Sequence, residues 1–214
     1  MKKPSAFSHQ LSACVQRTFL VLLSAAVLLA AAAGCGASIN VKPLRLDDSS
    51  LTQNARRFLA DSEDAVAIAR AWRDTAAAEL ERTRLWRRGL ATGADALAAD
   101  AKVRPPVDAL SRFADATVDL AEKRLALAES ELALARQKFT QITAEIATQN
   151  DMAVYDLEKI RARTDVLRKD AEADNRAVEQ SRRVVEELNT AWLRAYGAYV
   201  KAGGGTQAFW LKID

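Results

Sequence analysis

The residues able to do chemistry in this chain are few. The only histidine, His9, and one of the two cysteines, Cys14, lie within the first 34 residues, and the other cysteine is Cys35. A cysteine sulfur can be a nucleophile, a metal ligand or an acyl acceptor. The first role needs a base within reach, and the second needs further Cys or His at ligand spacing. Beyond Cys35 there is neither, which excludes a His-based triad, the commonest zinc sets and an intrachain disulfide from that region. Carboxylates are plentiful in pairs such as Glu129/Glu131, Asp170/Glu172 and Glu186/Glu187. Acid–base catalysis needs two carboxyls converging on a concave, partly buried pocket. These alternate with Lys and Arg at helix-pair spacing and read as solvated faces. The mixed-sign run Arg161–Asp170 reads the same way. Trp192, Tyr196 and Tyr199 form either an aromatic binding face or the cap of a core end. No catalytic residue, cofactor, metal site or small-molecule substrate is expected, and the chain is read as a non-enzyme.

The formal net charge of +3 has a location. Lys2, Lys3 and Arg17 are the only charges in residues 1–34, so the remainder carries 28 bases against 28 acids. A balanced body lacks the net basic face a nucleic-acid binder needs. After Arg17, an apolar and small-residue run extends from Thr18 to Ala33, 16 residues that fall short of the ~20 a membrane-spanning helix requires. Basic start, short apolar core and small residues at the end describe a secretory signal; an uncleaved anchor is the other reading.

Ala32-Ala33-Gly34-Cys35 resembles the lipobox of bacterial lipoproteins, with Ala32 where that family most often has Leu. The resemblance implies cleavage between Gly34 and Cys35, acylation of Cys35, and a stable hold on membrane lipid through two or more chains. Gly36 is not the aspartate with which that family marks inner-membrane retention, which implies an outer-membrane location facing the periplasm. The alternative is an ordinary signal cut near Ala33 that leaves Cys35 as a free thiol.

The elements that follow are helical. Gly36–Ser50 contains Pro43 and no period, so residues 35–50 read as a lipidated N-terminus and flexible tether. Ser49 and Ser50 are N-cap types. Leu51, Ala55, Phe58, Ser62, Ala65, Ala69, Trp72 and Ala76 then step by four and three, with Trp86 and Leu90 beyond. Gly89 and Gly93 are expected to end this first helix, giving 51–91. Pro105-Pro106 is the next stop, with Pro106 able to open a second helix. Over 107–148, Ala114, Val118, Ala121, Leu125, Ala128, Leu132, Ala135, Phe139, Ile142 and Ile146 keep the same steps, and Phe113, Leu120, Leu127 and Leu134 add a third row. So broad a face suits a multi-helix bundle better than a two-stranded coil.

Gln149-Asn150-Asp151 favours a turn, with one continuous helix as the alternative. A last stripe, Leu157, Ile160, Thr164, Leu167, Ala171, Asp174, Val178, Ser181, Val185, Leu188, Trp192, Ala195 and Tyr199, belongs to a third helix over 152–200. The fold expected is an all-α, elongated antiparallel bundle or coiled coil of three long helices, occupying 51–202 after the signal (1–34) and tether. Gly203-Gly204-Gly205 closes it, and Phe209, Trp210, Leu211 and Ile213 make the 203–214 tail apolar enough either to fold back on the bundle or to dock on a partner.

In organisation, a lipobox followed by Ala-, Glu- and Arg-rich helices, the chain is similar to small helical envelope lipoproteins of unassigned function. Gly89-Leu90-Ala91-Thr92, Asp95-Ala96-Leu97 and Tyr199–Gly205 also resemble stretches of outer-membrane efflux channels, but no ~10-residue alternating strand of such a channel is present. The functional expectation is a lipid-anchored envelope scaffold, spacer or adaptor that meets a protein partner or itself through helical faces. An accessory subunit of an envelope efflux or export assembly is the alternative.

Overall fold

The structure, a computed structural model, describes residues 40–97 and 103–204. The signal segment, Gly34 and Cys35, residues 36–39 of the expected tether, and the 205–214 part of the tail lie outside the described residues. Among the described residues there are three helices and no strand: α1 (Gln53–Leu97), α2 (Arg104–Gln149) and α3 (Leu157–Lys201). The fold class is the all-α helical bundle that the hydrophobic periods predict. At ~1.5 Å per residue each helix is about 68 Å long.

The helices run antiparallel, as the pairs between them require. Arg84 reaches Glu122, and Arg87 reaches Asp115. Glu145 meets Arg161, Asp174 meets Ser130 and Asp119 meets Ser181. Numbers climb in one helix as they fall in its neighbour. α2 packs on both others, while α1 and α3 scarcely touch each other. This explains the breadth of the apolar face on α2: one side covers α1 and the other covers α3.

Local chemistry sets the helix ends. α1 is capped by Thr52, whose Oγ1 accepts from the Ala55 N–H at 3.2 Å. Ser50, expected as a cap, instead donates its hydroxyl to Asp48 at 2.6 Å and its N–H to the same oxygen at 2.9 Å, forming a turn ahead of the helix. α1 continues through Gly89 and Gly93 to Leu97, so these glycines do not stop it. A helical glycine costs only ~1 kcal/mol, and buried Leu90 lies immediately after Gly89.

α2 starts three residues earlier than expected, with both Pro105 and Pro106 inside its first turn. The first amides of a helix have no intrahelical partner, so their loss at proline is harmless there. α2 and α3 are separate helices. Asn150 closes α2 through its backbone and side-chain N–H groups, both donated to the Ile146 carbonyl, and Asp151 follows with a left-handed φ of 55°. α3 begins at Leu157 rather than 152, capped by Asp156, which accepts from the Lys159 N–H at 3.0 Å. It ends in a Schellman arrangement: Gly203 has φ 83°, its N–H donates to Val200, and the Gly204 N–H donates to Tyr199.

The second half of the expected tether is fastened to the bundle. The Lys42 N–H donates to the Tyr155 hydroxyl at 3.1 Å, and Arg56 reaches the Asp48 carbonyl at 3.0 Å. Leu44 packs on Leu51, Ala55, Leu59 and Ile146 at the turn end of the bundle.

The inward row of α1 also differs from the expected one. Leu51, Ala55, Ser62, Ala76 and Leu90 are inside, but Leu59 and Leu80 are buried and the expected Phe58, Ala65 and Trp72 are exposed. Phe58 and Trp72 are 62% and 65% exposed. A helix seam stepping 4-3-4-3 can begin on either of two adjacent residues. The aromatic side chains made one row look stronger, and contact with α2 selects the other.

Candidate functional site

Three features of the bundle concern function. The first is an aromatic plug at the end opposite the α2–α3 turn. Trp86 of α1 meets Phe113 of α2 edge-on at 6.0 Å, and Phe113 stacks on Trp192 of α3 at 6.0 Å. Trp192, Tyr196 and Tyr199 continue the series along α3. All lie against a core of Leu90, Val103, Val107, Leu110 and Ala114. The Trp192/Tyr196/Tyr199 set therefore closes a core end, and Phe113 joins the two outer helices that otherwise scarcely meet. The indole N–H groups of Trp86 and Trp192 are buried without a hydrogen-bond acceptor among the described residues; the ring packing supplies the stabilisation there.

The second feature is a polar ladder along the α2–α3 seam. Thr164, Asp174 and Ser181 stand on the inward stripe of α3, and each faces a polar side chain of α2. Thr164 donates to Gln141 at 2.8 Å, Ser130 donates to Asp174, and Ser181 donates to Asp119 at 2.8 Å. Lys123, one turn along α2, is hydrogen-bonded to Asp119 and holds its carboxyl below the usual carboxylate range; burial opposes this less strongly, and Ser181 adds a smaller lowering. Every other position of the α3 stripe, from Leu157 to Tyr199, is buried or half-buried. A hydrogen-bonded pair contributes only ~1 kcal/mol, so the ladder fixes register more than it adds stability.

The third feature is an open cleft of about 420 Å³ midway along the helices. α1 supplies Trp72, Thr75, Ala76 and Glu79; α2 supplies Arg124, Leu127, Ala128 and Glu131; α3 supplies Val178. The cleft exists because α1 and α3 flank α2 without packing on each other there. Its floor is the alanine-and-leucine face of α2, and its α1 wall carries the exposed side chain of Trp72. Arg124 is engaged by Glu79, whereas Glu131 is exposed and, among the described residues, makes neither an ion pair nor a hydrogen bond.

The sequence-derived candidates distribute as follows. Cys35 and Gly34 lie outside the described residues. Glu129, Asp170, Glu172 and Glu187 are on exposed faces, and Glu186 is an exposed partner of Arg182. Arg161 and Arg168 of the mixed-sign run pair with Glu145 and Asp165. Among the described residues no three His, Cys, Asp or Glu side chains cluster as metal ligands, and no helix is long and apolar enough to cross a membrane. Glu131 and Trp72 are brought together with residues of all three helices, a juxtaposition that depends on register between helices and carries no signal in any single stretch. Compared with protein families, curated proteins and solved structures, the chain matches none.

Proposed function

We propose that the chain is a non-catalytic, lipid-anchored envelope protein, held by acylated Cys35 on the periplasmic face of an outer membrane and acting as a helical scaffold, spacer or adaptor. The observation that carries this reading is Ala32-Ala33-Gly34-Cys35 at the end of a 16-residue apolar run preceded only by basic charges. The long helices support it, because they give a rigid body tens of ångströms long whose outer faces are mixed in charge. The chain ahead of the first helix is attached to the turn end of the bundle through Lys42, Leu44 and Asp48.

A second reading, an accessory subunit of an envelope efflux or export assembly, draws support from Phe58 and Ile68. They are 62% and 61% exposed on α1, apolar surface that a helical-hairpin partner would cover. Site-specific photocrosslinking from position 58 in intact envelopes tests both. A crosslink to a coiled-coil exporter component supports the accessory role. Crosslinks only to lipid or to nothing, with membrane association dependent on Cys35, support the spacer. Release of the chain to the soluble fraction with Cys35 intact refutes the anchor.

A further inference from the structure

We propose that the mid-bundle cleft binds an apolar organic cation. The volume, about 420 Å³, lies within the ~300–1,000 Å³ range of small-molecule sites. The lining runs from Trp72 to Glu79 on α1 and from Arg124 to Glu131 on α2, two helical turns or ~11 Å. That length suits a compact molecule and is too short a groove for a docked helix.

The chemistry of the walls selects the charge. Ala76, Ala128 and Val178 are buried at the base, and with Leu127 they form a floor that gains nothing from a polar group. Trp72, 65% exposed in the middle of a long helix, puts an indole in the lining, the aromatic side chain that attracts a cation most strongly. The single cation in the lining, Arg124, is occupied by Glu79. Glu131 is therefore one carboxylate in excess within the lining. An anion would meet no free positive group among the residues of this lining. A neutral apolar molecule would leave Glu131 and the Trp72 indole unused. A cation with an apolar body satisfies both while covering the floor. The inference concerns a ligand that is held, not transformed, and stands independently of the membrane anchor.

The test uses the full-length chain in a nonionic detergent, with micelle-only titrations subtracted. Benzyltriethylammonium is the probe and benzenesulfonate the anionic control, with tryptophan fluorescence and calorimetry as readouts. Saturable binding of the cation and none of the anion is expected. Trp72→Ala should weaken the cation about three- to thirty-fold. Glu131→Gln should weaken it several-fold and flatten its salt dependence. Both side chains are at the surface, and an unchanged far-ultraviolet spectrum and melting temperature will show that the variants remain folded. Equal affinity for the two probes, or affinity that neither substitution alters, overturns the proposal. Equal affinity would make the cleft a general apolar contact, as for a protein partner.

Discussion

Leu59 and Phe58 are neighbours in sequence with opposite surroundings, and substituting each by alanine separates the two possible inward rows of α1. Leu59 is 1% exposed and packs with Leu51, Ala55 and Ile146. Removing most of its side chain forfeits the transfer free energy of about three carbons, roughly 2.4 kcal/mol, and adds a cavity term, for a total of about 3–5 kcal/mol. Phe58 is 62% exposed, so about a third of a full aromatic burial is at stake, roughly 0.5–1 kcal/mol. The better helix propensity of alanine offsets part of that. For a chain of this size 1 kcal/mol shifts the melting temperature by about 2–4 °C. Leu59→Ala is therefore expected to melt roughly 6–20 °C below the parent, and Phe58→Ala within about 4 °C of it. Circular dichroism at 222 nm against temperature and urea measures both. Equal losses, or the larger loss at Phe58, would put the Phe58–Ala65–Trp72 row inside and refute the packing described here.

Three further outcomes follow from particular contacts. Gly89 and Gly197 lie in helix interiors with open space where a Cβ would stand, so Gly89→Ala and Gly197→Ala should each stabilise by about 0.5–1 kcal/mol. Gly204→Ala should destabilise, because its Cβ would overlap the Tyr199 ring; thermal melts of the three variants check the contrast. Ser181→Ala removes the donor to Asp119 at a buried seam position, and the urea midpoint should fall by the equivalent of about 1 kcal/mol. Asp119 has a depressed folded-state pKa. Its contribution is therefore complete above the ordinary aspartate value of 3.8 and is lost as the pH falls through the lower folded value. Asp119→Asn should flatten the loss of stability in that acid window, and an unchanged slope in urea titrations at successive pH values contradicts the assignment.

The sequence carried the architecture because long, uniform helices advertise themselves. On α3 the stripe from Leu157 to Tyr199 is legible even through Thr164, Asp174 and Ser181, since these polar residues keep the step of four and three; what the stripe could not show is that α2 supplies Gln141, Ser130 and Asp119 to meet them. On α1 the pattern contained two adjacent rows, and the large Phe58 and Trp72 favoured the outer one, a choice that only contact with α2 resolves. The ends of α1 depart from the expected 51–91 for local reasons. Thr52 rather than Ser50 has the hydroxyl placed at the Ala55 amide, while Asp48 captures Ser50. Packing around Leu90 carries the helix past Gly89. The cleft was illegible because its walls come from three helices, and Trp72, read as core, is its exposed wall. Cys35 is the reverse case, legible as a motif but outside the described residues.

The central functional claim rests on one sulfur atom. Intact-mass and N-terminal peptide spectrometry of the chain purified from envelopes tests it most directly, with a radiolabelled palmitate pulse on the parent and Cys35→Ser. The account predicts a mature chain beginning at Cys35, carrying the mass of two or three acyl chains, with label that disappears in Cys35→Ser. A mature chain beginning near Gly34 with an unmodified thiol, or palmitate incorporation that survives the substitution, contradicts it.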